Sequence, residues 1–158
     1  MKTAFESILE IKERKKKKAQ SDLRACRMRV DQTREALKQA KQKQVEFSAF
    51  VIAEQDRLYD EMETKLVSME DIDLVKAQIG NLRARETQLF LEIGEAEKSV
   101  QEAQEKQAEA QKVFEAACLK ETKFDDLVEM EKTQAAIEAQ EKEDLSLEDF
   151  RPIDRLSF

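Results

Sequence analysis

The stretch from Ile72 to Val128 constrains the fold more than any other part of this sequence. Its apolar residues recur at alternating steps of three and four over about eight heptads. They are Ile72, Val75, Ile79, Leu82, Leu89, Ile93, Ala96, Val100, Ala103, Ala110, Phe114, Ala117, Phe124 and Val128. Only supercoiled helices keep a stripe of this period facing one neighbour over such a length, so the pattern predicts a coiled coil. The small alanine layers predict that the neighbouring helix lies close.

A second, weaker stripe runs from Phe5 to Leu58 and is interrupted by polar residues such as Lys16. If the chain turns back near Ser68, residues whose numbers sum to about 137 lie opposite one another. The apolar positions of the two stripes then match, and Lys16 falls near Glu121. One antiparallel hairpin therefore accounts for both stripes.

Two capping patterns give the starts of the helices. Thr3 is followed three residues later by Glu6, and Ser68 is followed in the same way by Asp71. A hydroxyl residue with a carboxylate three positions on is typical of a helix N-terminus. The spacing predicts one helix starting near Ala4 and a second starting just after Ser68.

These observations predict an all-α fold of two long helices in an antiparallel coiled-coil hairpin. The predicted parts are helix 1 at about 4–66, a hinge near 66–70, helix 2 at about 69–142, a hairpin domain over 1–143 and a tail over 144–158. The apolar residues of the tail show no sustained period, and Pro152 is expected to stop the helix. The tail is therefore predicted to lie outside the coiled coil.

The charge distribution favours the same arrangement. Residues 1–43 hold 14 Lys and Arg against 6 Asp and Glu, a net charge of +8, and the remainder holds 14 against 29, a net charge of −15. An antiparallel hairpin sets the basic first helix beside the acidic last third of the chain. Exposed ion pairs contribute little each, so charge selects the arrangement more than it stabilises it.

The composition argues against an enzyme. The chain has no His and only 2 Gly, so it offers neither the usual proton-transfer residue nor a glycine-rich phosphate loop. We predict no catalytic site, no metal site and no cofactor. We also expect no membrane-spanning segment and no signal peptide. Cys26 and Cys118 fit a reducing compartment. A hairpin could bring them to neighbouring turns, but they fit small apolar residues of the seam better than a disulfide.

A run of basic residues near the start of helix 1 is the sharpest charge feature. It extends from Lys12 to Lys18 as Lys-Glu-Arg-Lys-Lys-Lys-Lys and is followed by Arg24, Arg27, Arg29 and Arg34. Three interpretations fit such a run: a solvated face, a nucleic-acid contact, and a contact with an acidic protein surface. No aromatic residues interleave with the basic ones and the net charge of the chain is −7, which argues against nucleic acid.

A second surface feature consists of apolar residues that miss the seam in the heptad frame. They are Phe50, Ile52, Tyr59, Phe90 and Leu91. On a thin rod, exposed aromatic and aliphatic side chains favour a partner site. Local repacking that buries some of them is the alternative.

The sequence resembles the YscO family of bacterial type III secretion, which is similar to FliJ of the flagellar export apparatus. The resemblance rests on the opening Phe-Glu-Ser-Ile-Leu-Glu-Ile-Lys-Glu-Arg-Lys-Lys-Lys-Lys-Ala from Phe5 to Ala19. A Lys-, Arg-, Gln- and Glu-rich hairpin of about this length and the turn in mid-chain add to it.

That resemblance implies a non-enzymatic stalk in the cytoplasm at the base of the secretion apparatus. Its implied partners are a hexameric secretion ATPase, an export gate protein and export chaperones, with no direct membrane insertion and a monomer when isolated. In this scheme the ATPase-facing residues are Lys15, Lys16, Lys17, Lys18, Arg24 and Arg27. The apolar set Phe50, Ile52, Tyr59, Phe90 and Leu91 would face the gate or the chaperones.

Two other classes of protein fit parts of the pattern. In a self-assembling structural coiled coil, two chains would pair along one continuous helix of more than about 200 Å. In a nucleic-acid-binding rod, binding would depend steeply on salt. A short distance between positions 9 and 128 of the same chain distinguishes the hairpin from the continuous helix.

Overall fold

The computed structural model describes residues 2–65 and 67–154, with side chains through residue 149. It contains two helices, α1 (Ala4–Thr64) and α2 (Met69–Asp154), and no strand within these residues. The predicted all-α hairpin of two long helices is confirmed. The predicted hinge includes Leu66, which lies outside the described residues.

Both predicted capping boxes are formed. At the start of α1 the Glu6 N–H donates to Thr3 Oγ1 at 3.2 Å, and the Thr3 N–H donates to Glu6 Oε2 at 3.2 Å. At the start of α2 the Asp71 N–H donates to Ser68 Oγ at 3.3 Å, and the Ser68 N–H donates to Asp71 Oδ2 at 3.2 Å. These bonds satisfy backbone donors that a helix start leaves without partners, so the second box starts a new helix where no Gly or Pro breaks the first.

The chain divides into two compact units. The terminal unit comprises Met1–Leu23 and Ala110–Phe158, and the hinge unit comprises Arg24–Glu109. Each unit contains a segment of α1 antiparallel to a segment of α2.

In the terminal unit, Ala19 and Leu23 of α1 and Val128 of α2 are buried. Thr3 Oγ1 donates to Glu131 Oε2 at 3.0 Å, and Lys12 Nζ lies 5.6 Å from the centre of the Phe124 ring. These contacts join residues whose numbers sum to nearly the same value, as the antiparallel register requires.

In the hinge unit the buried side chains form the same kind of narrow seam. They are Val30, Thr33, Val51, Leu58, Leu89 and Ala103. The buried hydroxyl of Thr33 donates to the Val30 carbonyl at 2.9 Å, so this polar side chain needs no partner from α2. A seam this narrow has few apolar layers, and each of them matters to stability.

The α2 helix continues well past the end predicted near residue 142. All side chains from Lys132 to Asp149 are exposed, and we call this segment the overhang. The backbone of α2 stays helical through Asp154. The predicted end near residue 142 is therefore wrong, and Pro152 lies within the helix. The overhang is rich in strong helix formers and carries i,i+4 contacts such as Gln140 with Asp144, which support a helix without packing. Pro152 removes a single N–H donor within the last turn.

No helix in the described ranges is both long and apolar enough to cross a bilayer.

Truncation of a seam leucine should cost far more stability than truncation of a nearby exposed one. Leu89 is 2% exposed and Leu91 is 59% exposed. We expect Leu89→Ala to lower the free energy of unfolding by about 2–4 kcal/mol, because it removes a layer of a thin core. Leu91→Ala should change it by no more than about 0.5 kcal/mol. Urea unfolding followed by circular dichroism measures both values, and equal losses would contradict the assigned seam.

Candidate functional site

Lys16 is the residue of the basic run that lies in the seam. Its Nζ is 3.0 Å from Oε2 of Glu121, as the antiparallel register predicts. This oxygen is shielded from solvent, and the contact departs from hydrogen-bond geometry, so it is an ion pair. Close contact with the Glu121 carboxylate raises the pKa of Lys16. A raised lysine pKa stabilises the fold below the ordinary lysine pKa, and the effect is lost as pH rises through the raised value.

Because Lys16 faces α2, its neighbours in the sequence face outward. Lys15, Lys17 and Lys18 are all exposed. Within the described residues, none of these three lysines forms an ion pair. The terminal unit therefore carries unneutralised positive charge at its surface.

Two of these three lysines, Lys15 and Lys18, border a shallow groove of about 410 Å³ in the terminal unit, which we call the lysine groove. Four lysines line it, namely Lys12, Lys15, Lys18 and Lys120. Its floor is apolar, formed by Ala19, Val113, Ala116 and Ala117, and one carboxylate, Asp22, also borders it. The alanines that let the two helices approach closely also leave this floor open.

The other two predicted ATPase-facing residues, Arg24 and Arg27, are exposed and belong to the hinge unit. The predicted basic set is thus divided between the two units. Lys16 is not one of its outward-facing members, because it pairs with Glu121 in the seam. Within the terminal unit the set reduces to Lys15, Lys17 and Lys18.

The five apolar residues that miss the seam are all exposed, with exposed fractions between 45% and 59%. Repacking does not bury them. Phe50 lies beside Phe47, with the ring centroids 5.8 Å apart. The two rings line a groove of about 370 Å³ together with Arg57 and, from α2, Arg85.

Ile52 and Tyr59 face away from Phe50. Gln55 lies three residues after Ile52 and four before Tyr59, so the three residues share one face of α1. Arg83 Nη2 donates to Gln55 Oε1 at 2.8 Å, which brings the corresponding face of α2 alongside.

Phe90 belongs to the same side of the hinge unit, since it lies two helical turns after Arg83 on one face of α2. Leu91 is turned about 100° away from Phe90. The structure therefore separates the predicted patch into a Phe50 face, a face with Ile52, Tyr59 and Phe90, and Leu91 on neither.

The contribution of α2 to the lysine groove was missed by sequence reasoning. Val113 is 60% exposed and sits outside the heptad seam, and Lys120 is one among many charged residues of α2. The only sequence signal for these two residues is that they lie off the heptad seam. That signal predicts a groove only when the residues of α1 that lie opposite are known.

The described residues contain no cluster of three or more acidic or cysteine side chains that could hold a metal ion. Cys26 and Cys118 are both free thiols and partly buried.

Residues 5–152 match the family model of the type III secretion protein YscO. The chain belongs to the YscO family. A crystal structure of the type III secretion protein YscO from Vibrio parahaemolyticus is similar in fold, with a TM-score of 0.85 at 21% sequence identity over 92% of each chain. None of the curated proteins matches this chain. Membership of the YscO family assigns the chain to type III secretion.

Proposed function

We propose that this YscO-family chain is a non-enzymatic stalk that links the hexameric secretion ATPase to the export gate on the cytoplasmic side of the apparatus. The terminal unit engages the ATPase through Lys15, Lys17 and Lys18, and the hinge unit contributes Arg24 and Arg27. The hinge unit contacts the gate and escorts export chaperones.

The observation that carries this proposal is the position of Lys16. Its ion pair with Glu121 fixes the rotation of α1 in the terminal unit. Consecutive helical residues are about 100° apart, so Lys15 and Lys18 lie about 60° apart on one side of Lys16, and Lys17 lies on the other side. Positive charge on two sides of a two-helix unit suits a partner that encloses the unit, such as an acidic pore, better than a single flat surface.

The hinge unit offers a different chemistry. Its exposed side chains on the Phe50 face and on the opposite face are aromatic and aliphatic, and exposed aromatic residues are frequent anchors of protein interfaces. Arg85 beside Phe50 adds a cation at the edge of the first face. Two separate faces give the gate and the chaperones distinct places to bind.

Reversal of the outward lysines should weaken ATPase binding. We expect the variant Lys15→Glu/Lys17→Glu/Lys18→Glu to raise the Kd for the ATPase at least about tenfold at low salt, because three attractive contacts become repulsive. Calorimetric titration of the ATPase measures this change, and circular dichroism checks that helicity is retained. The difference should shrink at high salt.

The matched control is Lys38→Glu/Lys41→Glu/Lys43→Glu, which makes the same charge change at exposed positions of the same helix in the hinge unit. It should change the Kd by less than about twofold if the contact is local. Equal weakening by both variants would show that net charge governs binding. An unchanged Kd for the Lys15→Glu/Lys17→Glu/Lys18→Glu variant would rule out the basic surface as the ATPase contact.

The two apolar faces can be tested separately. We expect Phe50→Ser and the triple variant Ile52→Ser/Tyr59→Ser/Phe90→Ser each to weaken binding of either the gate protein or an export chaperone at least about tenfold. Leu119→Ser, at an exposed position of the terminal unit, serves as the control. If pull-downs with the gate protein and the chaperones show wild-type binding for both variants, the hinge unit does not have this role.

A further inference from the structure

The overhang carries an exposed face that has no partner within the described residues. Ile137, Glu141, Leu145 and Glu148 follow one another at steps of four, four and three, so they share one side of α2. All four are exposed. Between Lys132 and Asp149 the overhang holds 6 acidic and 2 basic residues, a net charge of −4. It is an acidic helix with an apolar ridge.

The lysine groove has the complementary chemistry, with four lysines around an apolar floor and a single carboxylate, Asp22. Aliphatic side chains such as Ile137 and Leu145 suit a floor made by Ala116, Ala117 and Val113. Carboxylates beside them would meet the ammonium groups on the rim.

The overhang cannot reach the groove of its own chain. Both features lie on the single helix α2, and 24 residues separate Val113 from Ile137. At 1.5 Å per residue this is about 36 Å along a rigid element. An overhang that fills the groove therefore comes from another molecule.

We propose that two copies of this chain form a reciprocal antiparallel dimer, in which the lysine groove of each copy receives the overhang of the other. In α2, the groove residues Val113, Ala116 and Lys120 and the overhang residues Ile137 and Leu145 fall within about the same third of the helix circumference. A two-fold axis can therefore bring that one face of two α2 helices together.

The axis lies midway between the groove and the overhang, level with Met130. This methionine is 67% exposed, although it belongs to the part of α2 that packs beside α1. In the dimer it meets its own copy at the centre of the interface. The contact is an exposed, charge-dominated one, so we expect a Kd of about 100 µM at low salt and a monomer at micromolar concentration.

This dimer is an additional property of the chain, and it affects the proposed stalk function because the two share residues. Lys15 and Lys18 line the groove and also belong to the proposed ATPase surface. The dimer and the ATPase complex therefore exclude one another, which keeps the basic surface covered in molecules that are not assembled.

Sedimentation equilibrium of the full chain tests the proposal, from about 10 µM to about 1 mM and in about 50 mM and about 500 mM salt. We expect a monomer–dimer equilibrium that high salt shifts toward the monomer. The groove variant Lys18→Glu/Lys120→Glu and the overhang variant Glu141→Lys/Glu148→Lys should each weaken dimerisation at least about tenfold.

An equimolar mixture of the two variants gives the decisive result. In the heterodimer one contact is wild type and the other has both charges reversed, so both contacts are attractive and dimerisation should return to near the wild-type level. The variant Lys38→Glu/Lys41→Glu, exposed and distant in sequence from both features, should dimerise as the wild type does. Circular dichroism checks helicity throughout.

A chain that stays monomeric at about 1 mM in low salt overturns the proposal and leaves the groove to a different protein. A dimer that neither variant weakens also overturns the proposal. The same holds if the mixture of the two variants does not regain dimerisation. The overhang variant also separates this proposal from the stalk function, since it should lose dimerisation and keep ATPase binding.

Discussion

The ion pair between Lys16 and Glu121 sets the geometry on which the surface of the terminal unit depends. Each layer of a two-helix seam holds side chains from both helices, so a charged residue in the seam meets its counterion from the other helix. With that pair 3.0 Å apart, the rotation of α1 is fixed and the neighbouring lysines face outward. The same layer sets which residues of α2 lie beside them, and hence the composition of the lysine groove.

The two units present different surfaces because their outward residues differ, while their seams are alike. In the terminal unit the exposed residues of α1 include Lys15, Lys17 and Lys18, which form no ion pair within the described residues. In the hinge unit they include Phe50, Ile52 and Tyr59, which water solvates poorly. In the proposed function, the cationic surface of the terminal unit and the apolar faces of the hinge unit bind two different partners.

The heptad pattern and the capping residues were sufficient to predict the helices, the turn and the meeting of Lys16 with Glu121. Other features could not be read from the sequence. The sequence predicts the end of α2 too early because the apolar period is lost after Glu143 and Pro152 is expected to stop the helix, whereas the overhang stays helical by its own propensity without a packed face. The apolar patch was predicted as one cluster because a heptad frame shows that a residue misses the seam but not on which side it lies. The lysine groove needs residues from both helices, so its composition follows only from the register.

The central claim is that Lys16 pairs with Glu121 and thereby fixes the register of the terminal unit. The most direct test is the charge exchange Lys16→Glu/Glu121→Lys, measured as the urea midpoint of unfolding beside each single variant. Lys16→Glu alone places two carboxylates together and Glu121→Lys places two ammonium groups together, so both should lower the midpoint. The double variant should recover most of the loss, because it restores an ion pair at the same layer. If the two single losses simply add in the double variant, these residues are not paired and the assigned register is wrong.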